Sequence, residues 1–381
     1  MHIVELSSRM DIKRYLQRLG VDGGGIDILQ SKAKLHLIEI SDLHVGAANI
    51  LKQDALSVGA DLAVPRGTVI AKTPKVDVLL IASTRALQKL SKKELAQPFG
   101  LKEVAKKLQA IVQVKRNKSV ELMGVINAND DSFFSGSRFH GVGAFEKIVQ
   151  MIEDGASIID IGAVSSRPNA EEVELQEELS RLIPIVDLIE KEKLYDKAVF
   201  SIDSYQPEAI AYALERGFRI VNDITGLADD RVCEVAARHR AQVVIMHMQG
   251  NPQTMQKDPY YDNILDEVSM FFQERIEKAD RYGIEDIVLD VGIGFGKTVE
   301  HNLLLVKNLE HFLTLQKPLL VGASRKSMID KITPARVEDR LAGTLALHLE
   351  AYRNGASILR VHDVFEHTQA LRVQEALETT L

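Results

Sequence analysis

Eight short apolar runs constrain this chain more than anything else in it. Each ends in a polar group, and each is separated from the next by a segment of helical period. The runs are ELMGVIN (121–127), SIIDIG (157–162), FSID (200–203), RIVND (219–223), VVIMHM (243–248), IVLD (287–290), LLVGAS (319–324) and SILRVHD (357–363). Charged, helix-period segments lie between them, at 145–153, 207–216, 264–282 and 340–352. Strands alternating with helices imply βαβ units and a parallel sheet. Eight such units over roughly 250 residues match a closed (β/α)8 TIM barrel. An open doubly wound sheet has the same period, so the count and the polar strand ends are what favour the barrel.

The chain has 381 residues, more than the barrel needs. Residues 1–118 carry 20 Lys+Arg against 11 Asp+Glu, a net of +9, and residues 119–381 carry 27 against 43, a net of −16. This step predicts a smaller mixed α/β domain over 1–118 and the barrel over 119–381. In the first domain VDVLLIAS (76–83) reads as a buried strand, and 47–60 and 101–111 read as amphipathic helices. The glycines at 23–25 lack the strand and the Lys-Ser/Thr of a phosphate loop and read as a flexible turn. Basic charge is spread along the domain without a nucleic-acid motif, so no nucleic-acid partner is expected. No run reaches the ~20 apolar residues of a membrane span, and the first residues lack a signal-peptide pattern. With a single cysteine, Cys233, these features predict a cytoplasmic protein without disulfides. No Cys/His cluster has zinc spacing.

In a barrel the carboxyl ends of the strands converge on one face. The groups brought there are Asn127, Asp160, Asp203, Asn222 with Asp223, His247, Asp290, Ser324 with Arg325 and Lys326, and Arg360 with His362. Asp290 opens a Gly-rich loop, VGIGFGK (291–297), whose glycines permit sharp turns or close ligand approach. Acids and amides occupy the middle strands, and basic groups the last two, where barrels commonly bind phosphate. The division suits a ligand with a hydrogen-bonding heterocycle at one end and a phosphate at the other. Asp160 and Asp223 read equally as loop caps or binding groups, His247 as a packed histidine, Lys297 as a solvated side chain and Arg325 as structural.

These motifs resemble, in order, those of the dihydropteroate synthase family. MGVINANDDSFFS (123–135) is similar to its first signature and IIDIGAVSSRP (158–168) to its second; FSIDSYQPE, IVNDITG, VVIMHMQGNPQTMQ, LDVGIGFGKTVEHN, LLVGASRKSMI and ILRVHDV match further blocks. The resemblance implies condensation of 6-hydroxymethyl-7,8-dihydropterin diphosphate with p-aminobenzoate, by dissociation to a pterin-methylene cation, with Mg²⁺ as cofactor in a homodimer. It implies a pterin collar of Asp203, Asn222, Asp290 and Lys326, with Asp203, Asp290, Lys326 and Asp131 serving catalysis. Asn127, Arg360 and His362 would face the diphosphate, with Asn127 the metal contact. Phe133, Ser166, Arg167, Pro168, Phe295 and Ser324 would wall the p-aminobenzoate.

The chain departs from the family pattern at Ala128, Asn129 and Asp130, where Val-Thr-Pro is usual, and at Val164, Ser166 and Val291. Two other readings compete. A methyltetrahydrofolate:corrinoid methyltransferase shares the pterin collar but needs no diphosphate site, and SSRP (165–168), SRKS (324–327) and RVHDV (360–364) argue against it. A non-catalytic pterin-binding scaffold rests on the altered first loop alone.

Overall fold

The computed structural model describes residues 1–8, 10–114, 119–128, 140–164, 173–250 and 253–380. The chain divides into two compact units, residues 1–114 with 375–381, and residues 115–374. The charge step at 118 thus falls within a few residues of the division, but the last seven residues of the chain group with the first unit instead of the barrel.

The first unit is built on a three-stranded antiparallel sheet of order β1-β3-β2, with β1 Leu35–His44, β2 Asp61–Ala63 and β3 Lys75–Ser83. Helices Val45–Val58, Thr84–Glu94 and Leu101–Gln113 accompany it. Alternate β3 residues Val76, Val78, Leu80 and Ala82 are buried, the period-2 pattern of a sheet with one covered face. They share a core with Leu51, Leu87, Leu90 and Leu108. The glycines at 23–25 open the helix Gly23–Ala33 rather than forming a turn. None has a positive φ, so nothing there demands glycine, and the expectation of a loop was wrong because propensity is a weak guide at a helix start.

The second unit is a closed barrel of eight parallel strands in the order β10-β11-β4-β5-β6-β7-β8-β9. The strands are β4 Glu121–Asn127, β5 Ile158–Gly162, β6 Val199–Asp203, β7 Ile220–Asp223, β8 Gln242–Met246, β9 Ile287–Asp290, β10 Leu319–Val321 and β11 Ile358–Val361. All eight coincide with the apolar runs of the sequence. Closure leaves no free edge and buries the strands on both sides, which is why their runs are apolar without alternation. Met123, Ile158, Ile220, Val244, Val288, Leu320 and Ile358, one from each of seven strands, form a common core cluster.

Candidate active site

Four strand ends meet in one polar network. The Arg360 guanidinium on β11 donates from Nε to Asp160 Oδ2 on β5 and from Nη2 to Asp203 Oδ2 on β6, each at 2.6 Å. Asn222 on β7 donates from Nδ2 to the same Asp160 oxygen at 3.0 Å. Asp160 Oδ1 is buried and has no hydrogen-bond partner among the described residues. Two carboxylates therefore share one guanidinium. Burial pushes Asp203 up to about 7; Arg360 and Lys326 pull it down, and Asp160 adds to the rise. Burial alone would lower Arg360, but Asp160 and Asp203 reverse this and hold it above the ordinary arginine value.

Asp290 ends β9 beside this network. Its Oδ1 accepts the Gly292 N–H at 2.8 Å, and burial raises its pKa against the pull of that hydrogen bond, Lys326 and Arg360. It is thus a loop cap as well as a buried carboxylate. The loop can be built only with glycine at 292: φ is +66°, and a Cβ there would lie 2.0 Å from the His247 carbonyl oxygen. Asn302 Oδ1 accepts the Gly294 N–H at 2.7 Å, and Tyr261 Oη donates to the Gly296 carbonyl at 2.9 Å. Phe295 emerges from this loop into an apolar cluster with Ile224, Met246 and Met255, and the Lys326 ammonium lies 4.1 Å from its ring centre.

Lys297 is not solvated, as the sequence suggested. It is buried, and its ammonium reaches His247 Nδ1 at 2.9 Å, the His247 carbonyl at 3.1 Å and the Phe295 carbonyl at 2.8 Å. Three N–H groups thus meet three acceptors. A lysine after a Gly-rich loop reads as exposed, and no local signal marks this one as the buried pin of the loop. His247 is packed edge-on against Phe271, and burial with Lys297 holds it neutral, far below the usual imidazole range. Asp223 spends both oxygens on its own loop, accepting from Thr225 N and Oγ1 and from Leu227 N, so it caps rather than binds.

The loops after β10 and β11 form the basic end. Ser324 Oγ lies 2.9 Å from His362 Nδ1 and accepts the His362 N–H at 3.3 Å. Burial and Arg360 lower His362 to about 4. Arg325, with φ +55°, pairs with Asp363 through Nε–Oδ2 at 3.0 Å and Nη2–Oδ1 at 2.5 Å. Asn127 stands at the end of β4, partly exposed. Asp131, Phe133, Ser166, Arg167 and Pro168 lie outside the described residues, so the expected p-aminobenzoate wall is represented by Phe295 and Ser324. Among the described residues no three His, Cys, Asp or Glu side chains come together as a metal site.

Residues 123–362 match the family described as pterin binding enzyme. A Helicobacter pylori protein named bifunctional dihydropteroate synthase/dihydropteroate reductase is 44% identical over 97% of this chain and 97% of its own length. The structure of Yersinia pestis dihydropteroate synthase with a sulfonamide drug superposes with a TM-score of 0.64 at 36% identity, covering 69% of this chain and 95% of that one. Xanthomonas albilineans dihydropteroate synthase with 4-aminobenzoic acid also gives 0.64, at 34% identity over 69% of this chain and 95% of that one. With the barrel, the ordered motifs and these likenesses in agreement, the chain belongs to the pterin-binding enzymes and, within them, to the dihydropteroate synthases.

Proposed function

We propose that this chain joins 6-hydroxymethyl-7,8-dihydropterin diphosphate to p-aminobenzoate, releasing diphosphate and 7,8-dihydropteroate. The observation that carries this reading is the division of one barrel mouth into a collar of buried acids and amides and a basic pair of loops. Asp160, Asp203, Asn222 and Asp290 supply acceptors and one amide to a donor-rich pterin edge, and Asp160 Oδ1 awaits a donor. The 4-aminobenzoic acid of the Xanthomonas structure supports the second substrate.

As the C–O bond to diphosphate breaks, positive charge spreads over the pterin methylene. Asp203 and Asp290 are already fixed, by Arg360 and the Gly292 N–H, so they meet that charge without reorganising. His362 and Arg360 face the departing diphosphate. The amine attacks the cation and then loses its proton, so no enzyme nucleophile is required. Mg²⁺ suits a site of this kind because it commonly takes one or two protein oxygens and completes its shell with phosphate and water. Asn127 would be its protein contact, and the ion would neutralise charge building on the leaving group.

The reading extends to a homodimer in the cytoplasm; no helix among the described residues is long and apolar enough to cross a membrane. Purified protein given both substrates and Mg²⁺ should release diphosphate, and chelation of the metal should stop it. No release above background in the complete mixture would refute the synthase reading. The Helicobacter relative's name and near full-length match favour a second reading, that the chain also reduces the dihydropteroate it makes. Loss of dihydropteroate with a supplied hydride donor would show it.

A further inference from the structure

Behind the basic end, two histidines from different helices touch. His348 lies on the helix Leu341–Arg353 and His367 on the helix Val364–Thr379, and both are buried. His348 Nε2 accepts the Ala323 N–H at 2.9 Å. His348 Nδ1 lies 2.8 Å from His367 Nε2, and His367 Nδ1 lies 2.6 Å from the Asp363 carbonyl oxygen. The ring centres are 4.9 Å apart.

The two ends of this chain are backbone groups, and they dictate every proton between them. Ala323 N–H can only donate, so His348 Nε2 carries a lone pair and its proton sits on Nδ1. That proton points at His367 Nε2, which therefore accepts, and the second proton sits on His367 Nδ1. The Asp363 carbonyl can only accept, so the chain closes. A third proton has no place, because on either ring it would aim one N–H at another. Burial holds both imidazoles below their ordinary range, most strongly His348, where His367 and His362 act in the same direction; at His367, Asp363 and Glu366 oppose it.

The ends of the chain are also the neighbours of the site. Ala323 precedes Ser324, and Asp363 follows His362. Arg325 pairs with Asp363 and donates its N–H to Thr344 Oγ1 at 2.9 Å, a second tie between the same loops and the helix bearing His348. We propose that His348 and His367 are a positioning pair for the anion-binding end: an uncharged relay, each ring protonated on Nδ1 alone, that holds the loop after β10 to the loop after β11. The positioning role rests on the diphosphate reading of that end; the relay itself does not.

The test uses the full chain with ring ¹⁵N-labelled histidine. The NMR spectrum at neutral pH should show two rings with Nδ1 protonated and Nε2 bare, each assigned by its loss in His348→Leu or His367→Leu. An Nε2–H tautomer or an imidazolium at either position would overturn the relay. Calorimetry with inorganic diphosphate and Mg²⁺ tests the role. His348→Leu orphans the Ala323 N–H and should weaken binding about tenfold, the usual consequence of one lost buried hydrogen bond. His348→Gln, which can still accept from Ala323, should recover part of that loss. A folded Leu variant that binds as tightly as the parent would refute positioning. A parent that binds no diphosphate would instead sink the diphosphate reading, and the positioning role with it, while the tautomers still decide whether the relay exists.

Discussion

Two cations of this barrel, Arg360 partly buried and Lys297 buried, are kept by opposite means. Arg360 lies between two carboxylates, its side chain one-fifth exposed, and its proton is held more firmly than in water. Among the described residues Lys297 is bonded to neutral acceptors, and burial, with Lys326, lowers it to about 7 although Asp290 pulls the other way. Burial costs each of them hydration; the difference is what faces the charge. Arg360 orders two acids of the polar network, Asp160 and Asp203. Lys297 orders the backbone that carries Asp290's cap and Phe295.

Arg360→Met leaves Asp160 and Asp203 buried and facing one another, and should cost about 3–5 kcal/mol of stability. The loss should shrink as acid protonates the carboxyls. A denaturant series at neutral and acidic pH measures it, and a variant as stable as the parent at neutral pH would mean the guanidinium is not the counter-charge.

Asp290→Asn comes next. On the proposed mechanism it keeps the shape but removes the charge facing the pterin cation, and should lower kcat/KM by a factor equivalent to about 1.5–3 kcal/mol. Unchanged steady-state constants would take Asp290 out of the collar.

Lys297 offers a pH test. Its folded value, about 7, lies below its unfolded value near 10.5, so the unfolded chain binds the extra proton between those limits. This contribution to stability is complete above the unfolded pKa and is lost as pH falls through the folded one. The parent should therefore gain on Lys297→Met by about 1.4 kcal/mol per pH unit between pH 7 and about 10.5, and no further above that. Parallel stability curves for the two proteins would show that the ammonium is not depressed.

The smallest effect is expected at the surface. Arg336 pairs with Asp339 at 2.9 Å on the surface, with side chains 73% and 52% exposed. Arg336→Ala should leave the unfolding midpoint within error, because solvent screens such a pair. A clear shift there would mean that exposed charges in this chain matter as buried ones do.

The same contrast separates what was legible in the chain from what was not. The barrel strands announced themselves because a strand covered on both faces needs an unbroken apolar run, a property of a few adjacent residues. β1 gives no such signal: it alternates, with Leu35 and Leu37 exposed, and lacks an unbroken apolar run. Asp160, Asp203, Asn222, Asp290 and Arg360 could be placed at strand ends by counting, and their order carried the family resemblance.

The sequence by itself thus determined the eight βα units, the face on which their polar ends gather and the family to which the chain belongs. Only the tertiary structure decided which partners those ends take. Arg360 meets Asp160 across 200 positions of chain because β11 and β5 flank β4 in the closed barrel. Lys297 reaches His247 only because the loop after β9 folds back on the end of β8. The proton order of His348 and His367 follows from two backbone groups, Ala323 N–H and Asp363 C=O, that no residue name reveals. Hydrophobic period is local and survives in the linear chain, whereas the charge state of a buried group depends on neighbours that chain closure alone brings within hydrogen-bonding distance.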